Sequence, residues 1–295
     1  MKNPNKKKRI RLRAYAKINL GLIIKGKRSD GYHDIETIFL PVELYDRIII
    51  EKSHNDIIIE CNDPSIPTDN TNFTYIAFRK LKERYPLKIK GGIKIYIEKN
   101  IPAGSGLGGG SSDAGSVLLG IRKLWDIGIS DELLKDIALE IGSDVPFFID
   151  CVPALASGRG EILKRVDYDI RRWILLIYPN INISTSWAYK SFNFVLTNKV
   201  KNINLSKLIK KNIFKFKDFL QNDLETLVFS QYPQLAEIKD ELYKAGAEFA
   251  LMSGSGSCVY GLFEEKDIAI KSKDRLKEFG NVYITRQVLT PKIFI

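Results

Sequence analysis

The sequence predicts an α+β protein of two domains, residues 1–168 and 169–295. Strand-like alternation recurs ahead of a glycine-rich run at Pro102, and beyond it helical spacing arrives in pairs rather than singly between strands. A length of 295 residues suits two ordinary domains, each with a core of its own.

The elements follow in order. From Arg9 to Ile24, the residues Ile10, Leu12, Ala14, Ala16, Ile18 and Leu20 alternate with mostly polar ones, the period of a strand, and Lys17 and Asn19 share its other face. A polar turn over 26–31 leads to strand-like runs at 35–40, 47–51 and 56–61, which read as an antiparallel sheet. Helical spacing at Phe73, Ile76, Ala77 and Leu81 is stopped by Pro86, and Gly92–Lys99 alternates as a strand. A helix is expected over 113–125, with Ser111 or Ser112 as its N-cap, and a second over 131–141. Pro146 closes that pair. Strands at 154–157, 161–166 and 173–178 follow, then a lysine- and asparagine-rich excursion over 198–217. Helices over 220–229 and 234–245, strands at 249–252 and 258–263, a helix near 268–279 and a strand at 282–289 complete the chain.

Composition narrows the function classes. With 44% hydrophobic and 27% charged residues, and no apolar run near the ~20 residues of a membrane span, no membrane role is expected. Cys61, Cys151 and Cys258 form no C-x-x-C pair, and His33 and His54 are the only histidines. Neither a disulfide framework nor a zinc site is predicted, and a reducing cytoplasm is the expected compartment. The net charge of +11, concentrated in part at Lys2, Lys6, Lys7, Lys8, Arg9, Arg11 and Arg13, suits a nucleotide ligand, a nucleic acid, or simply a solvated basic surface.

The residues from Pro102 to Asp113 carry the chemistry: five glycines and three serines in twelve positions, between a strand and a helix. Glycine lets the backbone approach an anion closely, and a helix start offers unpaired N–H groups with a positive dipole end. Gly104, Gly106 and Gly109 also satisfy G-x-G-x-x-G, but a helix rather than a parallel strand comes next, unlike a dinucleotide-binding unit. No lysine precedes Ser111 or Ser112 as a Walker loop requires, and no V-A-I-K, H-R-D or D-F-G follows. A second loop, Ser253-Gly254-Ser255-Gly256-Ser257, reads alone as either a hairpin turn or a ligand contact.

Together with Ala16-Lys17-Ile18-Asn19-Leu20, these two loops resemble the three-motif pattern of the GHMP kinases, the superfamily of galactokinase, homoserine kinase and mevalonate kinase, over nearly the whole chain. Three further motifs, Arg28-Ser29-Asp30-Gly31-Tyr32-His33, Gly142-Ser143-Asp144-Val145-Pro146 and Asn222-Asp223-Leu224-Glu225, are similar to the branch that acts on a cytidine-diphosphate-linked polyol. The resemblance implies an N-terminal domain like the second domain of ribosomal protein S5 and a C-terminal ferredoxin-like α/β sandwich. It also implies phosphoryl transfer from ATP to the 2-hydroxyl of that polyol, in the non-mevalonate route to isoprenoid precursors.

The same resemblance assigns roles. Asp144 would be the catalytic base and Lys17 its partner, with Asn19 bonding the substrate or that pair. Pro102, Ala103, Gly104, Ser105, Gly106, Leu107, Gly108, Gly109, Gly110, Ser111 and Ser112 would hold the ATP phosphates, and Asn70 would lie near adenine or cap a helix. Tyr32 and Tyr189 would sandwich the cytosine beside His33, with Thr185 nearby, and Gly254, Ser255 and Gly256 would close the site from the second domain. Asp113 reads equally as a helix first-turn acid or a substrate contact. ATP implies Mg²⁺ held by phosphates, water and a serine hydroxyl, with no protein metal site. A monomer or weak homodimer is expected. Two alternatives remain: another GHMP acceptor such as mevalonate or homoserine, and a basic nucleic-acid-binding protein, for which no recognition motif appears.

Overall fold

The computed structural model describes residues 9–54, 56–192, 205 and 220–295. The first eight residues, with four of the expected basic ones, and the lysine-rich excursion over 198–217 apart from Leu205 lie outside the described residues.

Two long strands, β1 (Arg9–Lys27) and β2 (His33–Ser53), form an antiparallel ribbon that runs the length of the first sheet. On its other edge β2 carries β4 (Gly92–Glu98) along one half and β5 (Ala154–Gly158) along the other. Outside these lie β3 (Ile57–Cys61) and β6 (Ile162–Arg165). The expected antiparallel sheet is therefore mixed, because β3 pairs in parallel with β4 through the crossover helix α1 (Phe73–Arg84).

The two runs at 35–40 and 47–51 belong to one continuous strand, β2. Pro41 interrupts the pattern between them, yet it sits in the strand opposite Lys17. Its missing N–H does no harm there, because Lys17 and Pro41 form a non-hydrogen-bonded pair: the Lys17 N–H donates to Leu107 O at 3.0 Å and Pro41 O accepts from Val288 N–H, both away from the seam between the strands. The glycine loop docks on the outer edge of β1 at that point.

Helices α2 (Gly109–Trp125) and α3 (Asp131–Leu139) cover one face of this sheet with α1. Their apolar stripe includes Phe78, Leu81, Val117, Leu118, Ile121 and Ile137, packed against Leu12, Ile48, Ile50, Ile93 and Ile95. The expected N-cap at Ser111 or Ser112 is corrected: α2 begins at Gly109, and its cap is Gly108 at φ 75, with no side-chain bond. A one-turn helix, α4 (Phe147–Asp150), starts behind Pro146 and is too short to show a periodic pattern.

The second sheet has the order β10-β7-β9-β8, all antiparallel: β7 (Trp173–Tyr178), β8 (Phe249–Met252), β9 (Val259–Phe263) and β10 (Asn281–Thr285). Between β7 and β8 come α5 (Thr185–Ser191), α6 (Glu225–Gln231) and α7 (Pro233–Lys244), and between β9 and β10 comes α8 (Lys266–Arg275). This is the split β-α-β order of a ferredoxin-like sandwich. The sequence pattern places the start of α6 at Leu220; instead Gln221 and Asp223 bond the backbone of Leu22, and the helix waits until Glu225. The pattern also extends β10 to Leu289, but the chain leaves the sheet after Thr285.

Beyond Thr285 the tail returns to the first sheet. Glu43 N–H donates to Arg286 O and Val288 N–H to Pro41 O, both at 2.8 Å. Farther on, Arg13 N–H donates to Ile293 O at 2.8 Å and Ile295 N–H to Arg11 O at 3.1 Å. The two sheets also share a core in which Ile18, Leu20, Ile38 and Leu40 meet Ile174, Leu176, Leu251 and Tyr260. Among the described residues no helix is long and apolar enough to cross a membrane.

Candidate active site

A cavity of about 830 Å³ opens where the glycine loop, the β1–β2 ribbon and the second sheet's loops meet. Lys17 and Asn19 project into it from β1, two residues apart on one strand face and beside a bulge between Asn19 and Leu22. Lys17 is 4% exposed. Its Nζ donates to Asn19 Oδ1 at 2.6 Å and lies 3.5 Å from Asp144 Oδ2. Burial pulls the ammonium pKa below the ordinary lysine value, with Asp144 opposing that shift. Asn19 is fixed in turn: its Nδ2 donates to Thr37 Oγ1 at 2.9 Å, and Thr37 donates to Gly21 O.

Asp144 sits in the turn between α3 and α4, its side chain 33% exposed. Lys17 is thus enclosed, while the Asp144 carboxylate beside it faces the cavity.

The glycine loop crosses above this pair. Gly106 has φ 77, and a Cβ there would stand 2.1 Å from Ser253 O, so the two glycine loops touch through a position only glycine fills. Ser253 Oγ donates to Gly106 O, and Cys258 N–H donates to Ser105 O at 3.0 Å. Because Gly108 offers no side-chain cap and the first intrahelical bond runs from Ser112 N–H to Gly108 O, the N–H groups of Gly109, Gly110 and Ser111 have no intrahelical acceptor. These three residues line the cavity. A helix start stripped of side chains presents donors and a positive dipole end to an anion.

At the other end, His33 is buried with its ring 5.7 Å from that of Tyr189 and tilted 33° to it. Burial, helped by Lys27, lowers the His33 pKa, so the imidazole is held neutral at physiological pH. Burial raises the Tyr189 phenol. Tyr32 is 51% exposed, with the guanidinium of Arg159 4.5 Å from its ring centroid. Thr185 Oγ1 and Ser255 Oγ are hydrogen-bonded at 2.9 Å, joining the start of α5 to the second glycine loop.

Of the residues expected from the sequence, the cavity wall gathers Lys17, Asn19, Tyr32, His33, Pro102–Gly106, Gly108–Ser111, Asp144, Thr185, Tyr189, Gly254 and Ser255. Four stand off it. Leu107 is core, with no exposure. Ser112 is buried with its hydroxyl unpartnered, and Gly256 packs against Met252. Asn70 is exposed, and Asn72 caps α1 in its stead by accepting from Thr74 N–H. Sequence reasoning missed Arg159, for which its place between Gly158 and Gly160 was the available sign, and Thr37, for which there was none. It also missed how Asn222 braces the second loop, donating to Met252 O at 2.9 Å and Gly254 O at 2.8 Å.

Residues 72–151 match the GHMP kinases N terminal domain, and residues 202–282 match the GHMP kinases C terminal domain. A 4-diphosphocytidyl-2-C-methyl-D-erythritol kinase from Syntrophomonas wolfei is 41% identical over 273 residues, covering 92% of this chain and 95% of its own. The chain belongs to the 4-diphosphocytidyl-2-C-methyl-D-erythritol kinase family. Another member of that family, from Clostridium botulinum strain Eklund 17B, is 38% identical over 280 residues, covering 94% of this chain and 99% of its own. A crystal structure of a 4-(cytidine 5'-diphospho)-2C-methyl-D-erythritol kinase superposes with a TM-score of 0.78 at 30% identity, over 94% of this chain and 98% of the other. A mevalonate kinase structure, at 16% identity and a TM-score of 0.71 over 95% and 99%, shares the fold. This protein is accordingly a kinase with ATP as co-substrate, built of the N- and C-terminal GHMP domains.

Proposed function

We propose that the cavity carries phosphoryl transfer from ATP to the 2-hydroxyl of 4-diphosphocytidyl-2-C-methyl-D-erythritol, with Asp144 receiving the hydroxyl proton. The observation that carries the mechanism is the Lys17–Asp144 pair, placed between a bare helix start and an aromatic end of one cavity. Phosphoryl transfer asks for positioning and charge stabilisation more than for covalent chemistry. The N–H groups of Gly109, Gly110 and Ser111 take the phosphate oxygens, and Lys17 stabilises charge on the transferred group while Asn19 holds its ammonium in place. Tyr32, His33 and Tyr189 take the cytosine, and Thr185, Gly254 and Ser255 close the acceptor's side.

Among the described residues no group of three His, Cys, Asp or Glu side chains is placed to hold a metal. Mg²⁺, which we propose as the counter-ion of ATP, would be held chiefly by phosphate oxygens and water, with the cavity-lining Ser111 hydroxyl as the protein donor. The same reading divides the chain at 168/169, supported by the separation of β1–β6 from β7–β10 into two sheets. It expects a reducing cytoplasm, on the odd number and wide spacing of Cys61, Cys151 and Cys258, and a monomer or weak homodimer.

The test is purified protein with ATP, Mg²⁺ and the cytidine-linked substrate, the product identified by mass and the phosphate located by NMR. Phosphate on the 2-hydroxyl is expected. Turnover of mevalonate or homoserine but not of the cytidine-linked substrate would overturn the acceptor.

A further inference from the structure

A second ion cluster, sealed from solvent, lies behind the glycine loop. Lys99, Asp46 and Asp113 have side chains 5%, 0% and 5% exposed. Lys99 Nζ donates to Asp113 Oδ2 at 2.9 Å and to Asp46 Oδ2. Asp46 Oδ1 accepts the N–H groups of Asn100 at 2.6 Å and Ile101 at 2.8 Å. Asp46 therefore pins the chain just before the loop, and Lys99 ties that pin to α2 just after it.

Between the pins, Gly104, Gly106 and Gly108 all have positive φ, and the loop has few side chains with which to hold itself. The Lys99 ammonium also lies directly behind the cavity wall, since a Cβ on Gly109 would stand 3.2 Å from it. Stability does not account for the cluster. Buried ion triads are commonly no better than apolar residues of equal volume, and this one holds two carboxylates to one ammonium, with Asp113 Oδ1 lacking any partner. Burial and the neighbouring Asp46 push the Asp113 carboxyl pKa upward, against the pull of Lys99.

We propose that Lys99 is a positioning residue for ATP: through Asp46 and Asp113 it fixes the two ends of the glycine loop, and so the aim of the Gly109–Ser111 N–H groups. This rests on the reading that those groups hold the ATP phosphates, and the experiment separates the two. Lys99→Met alone strands two buried carboxylates, so the decisive variant is charge-free: Lys99→Met, Asp113→Leu and Asp46→Asn together, the asparagine keeping an acceptor for Asn100 and Ile101. It is expected to fold, to raise KM for ATP about tenfold or more with KM for the acceptor within about twofold, and to speed hydrogen exchange over residues 102–112 alone. Wild-type KM for ATP and wild-type loop exchange would overturn the proposal. Should the triple variant not fold, Asp113→Leu alone, which leaves Lys99 paired with Asp46 and removes only its tie to α2, is read by the same two measurements, and wild-type values there overturn it equally. Gly110→Asp, whose added carboxylate enters open space on the cavity wall, is the control. If it leaves KM for ATP unchanged, the phosphate reading itself fails; if it raises KM while the charge-free variant does not, only the role of Lys99 falls.

Discussion

Asp144 keeps a third of its side chain open to the cavity, while Lys17 beside it is sealed. That asymmetry suits a carboxylate that must exchange a proton with a substrate and a cation that must stay put. Asp144→Asn preserves shape and removes the proposed base; kcat is expected to fall by about 10² or more with KM for ATP nearly unchanged, checked by steady-state kinetics. Near-wild-type turnover would remove Asp144 from the base's role. Lys17 carries the opposite cost. Its pKa is lowered on folding from the ordinary 10.5, so the unfolded chain binds the proton more tightly. The penalty is complete below the lowered pKa and fades as pH climbs toward 10.5. Lys17→Met is therefore expected to abolish turnover yet melt a few degrees higher, a gain of about 1 kcal/mol that shrinks in alkaline buffer. A variant that melts lower at neutral pH would contradict this. Tyr32→Ala removes one stacking face, and KM for the acceptor should rise about tenfold with KM for ATP unmoved.

The start of α2 shows what an element contributes that no single residue does. Its first turn is bare because Gly108, Gly109 and Gly110 precede Ser111, and a Cβ on Gly110 would meet nothing within 4 Å. An aspartate there suits a helix N-terminus and should leave the melting temperature unchanged or raised, yet it repels phosphate. KM for ATP is expected to rise about tenfold or more in Gly110→Asp, and a drop in melting temperature would point to damage in place of repulsion.

Legibility followed the same physics. β1, α2 and α7 were readable because a buried face repeats at the strand or helix period over many residues. The cap of α2 was not, since a glycine cap leaves no side-chain signature, and Ser111 and Ser112 drew attention in its place. Pro41 divides the pattern of β2, and its tolerance depends on its register as a non-hydrogen-bonded partner of Lys17, which the strand's own residues do not announce. In the site, Lys17, Asp144, His33 and the loop were legible through motifs. Thr37 and the Asn222 brace were not, because their significance lies in what they touch across the fold.

At the scale of the molecule, the two sheets share an apolar core through Ile18, Leu40, Ile174 and Tyr260, so the halves are packed together beneath the site. The returning tail adds to this. Removing residues 286–295 deletes four backbone hydrogen bonds to the first sheet, made with Arg11, Arg13, Pro41 and Glu43, each worth about 1 kcal/mol. The shortened chain is expected to unfold at a clearly lower urea midpoint, and an unchanged midpoint would show the tail to be incidental. The outer edge of β1 closes only across a long separation in sequence. Its partners at Ile293 and Ile295 lie far along the chain from Arg11 and Arg13, so these contacts carry a large loop-closure cost that local ones do not. The sheet that holds Lys17 is thus finished by a long-range contact, and fraying of the tail would expose the edge of its first strand.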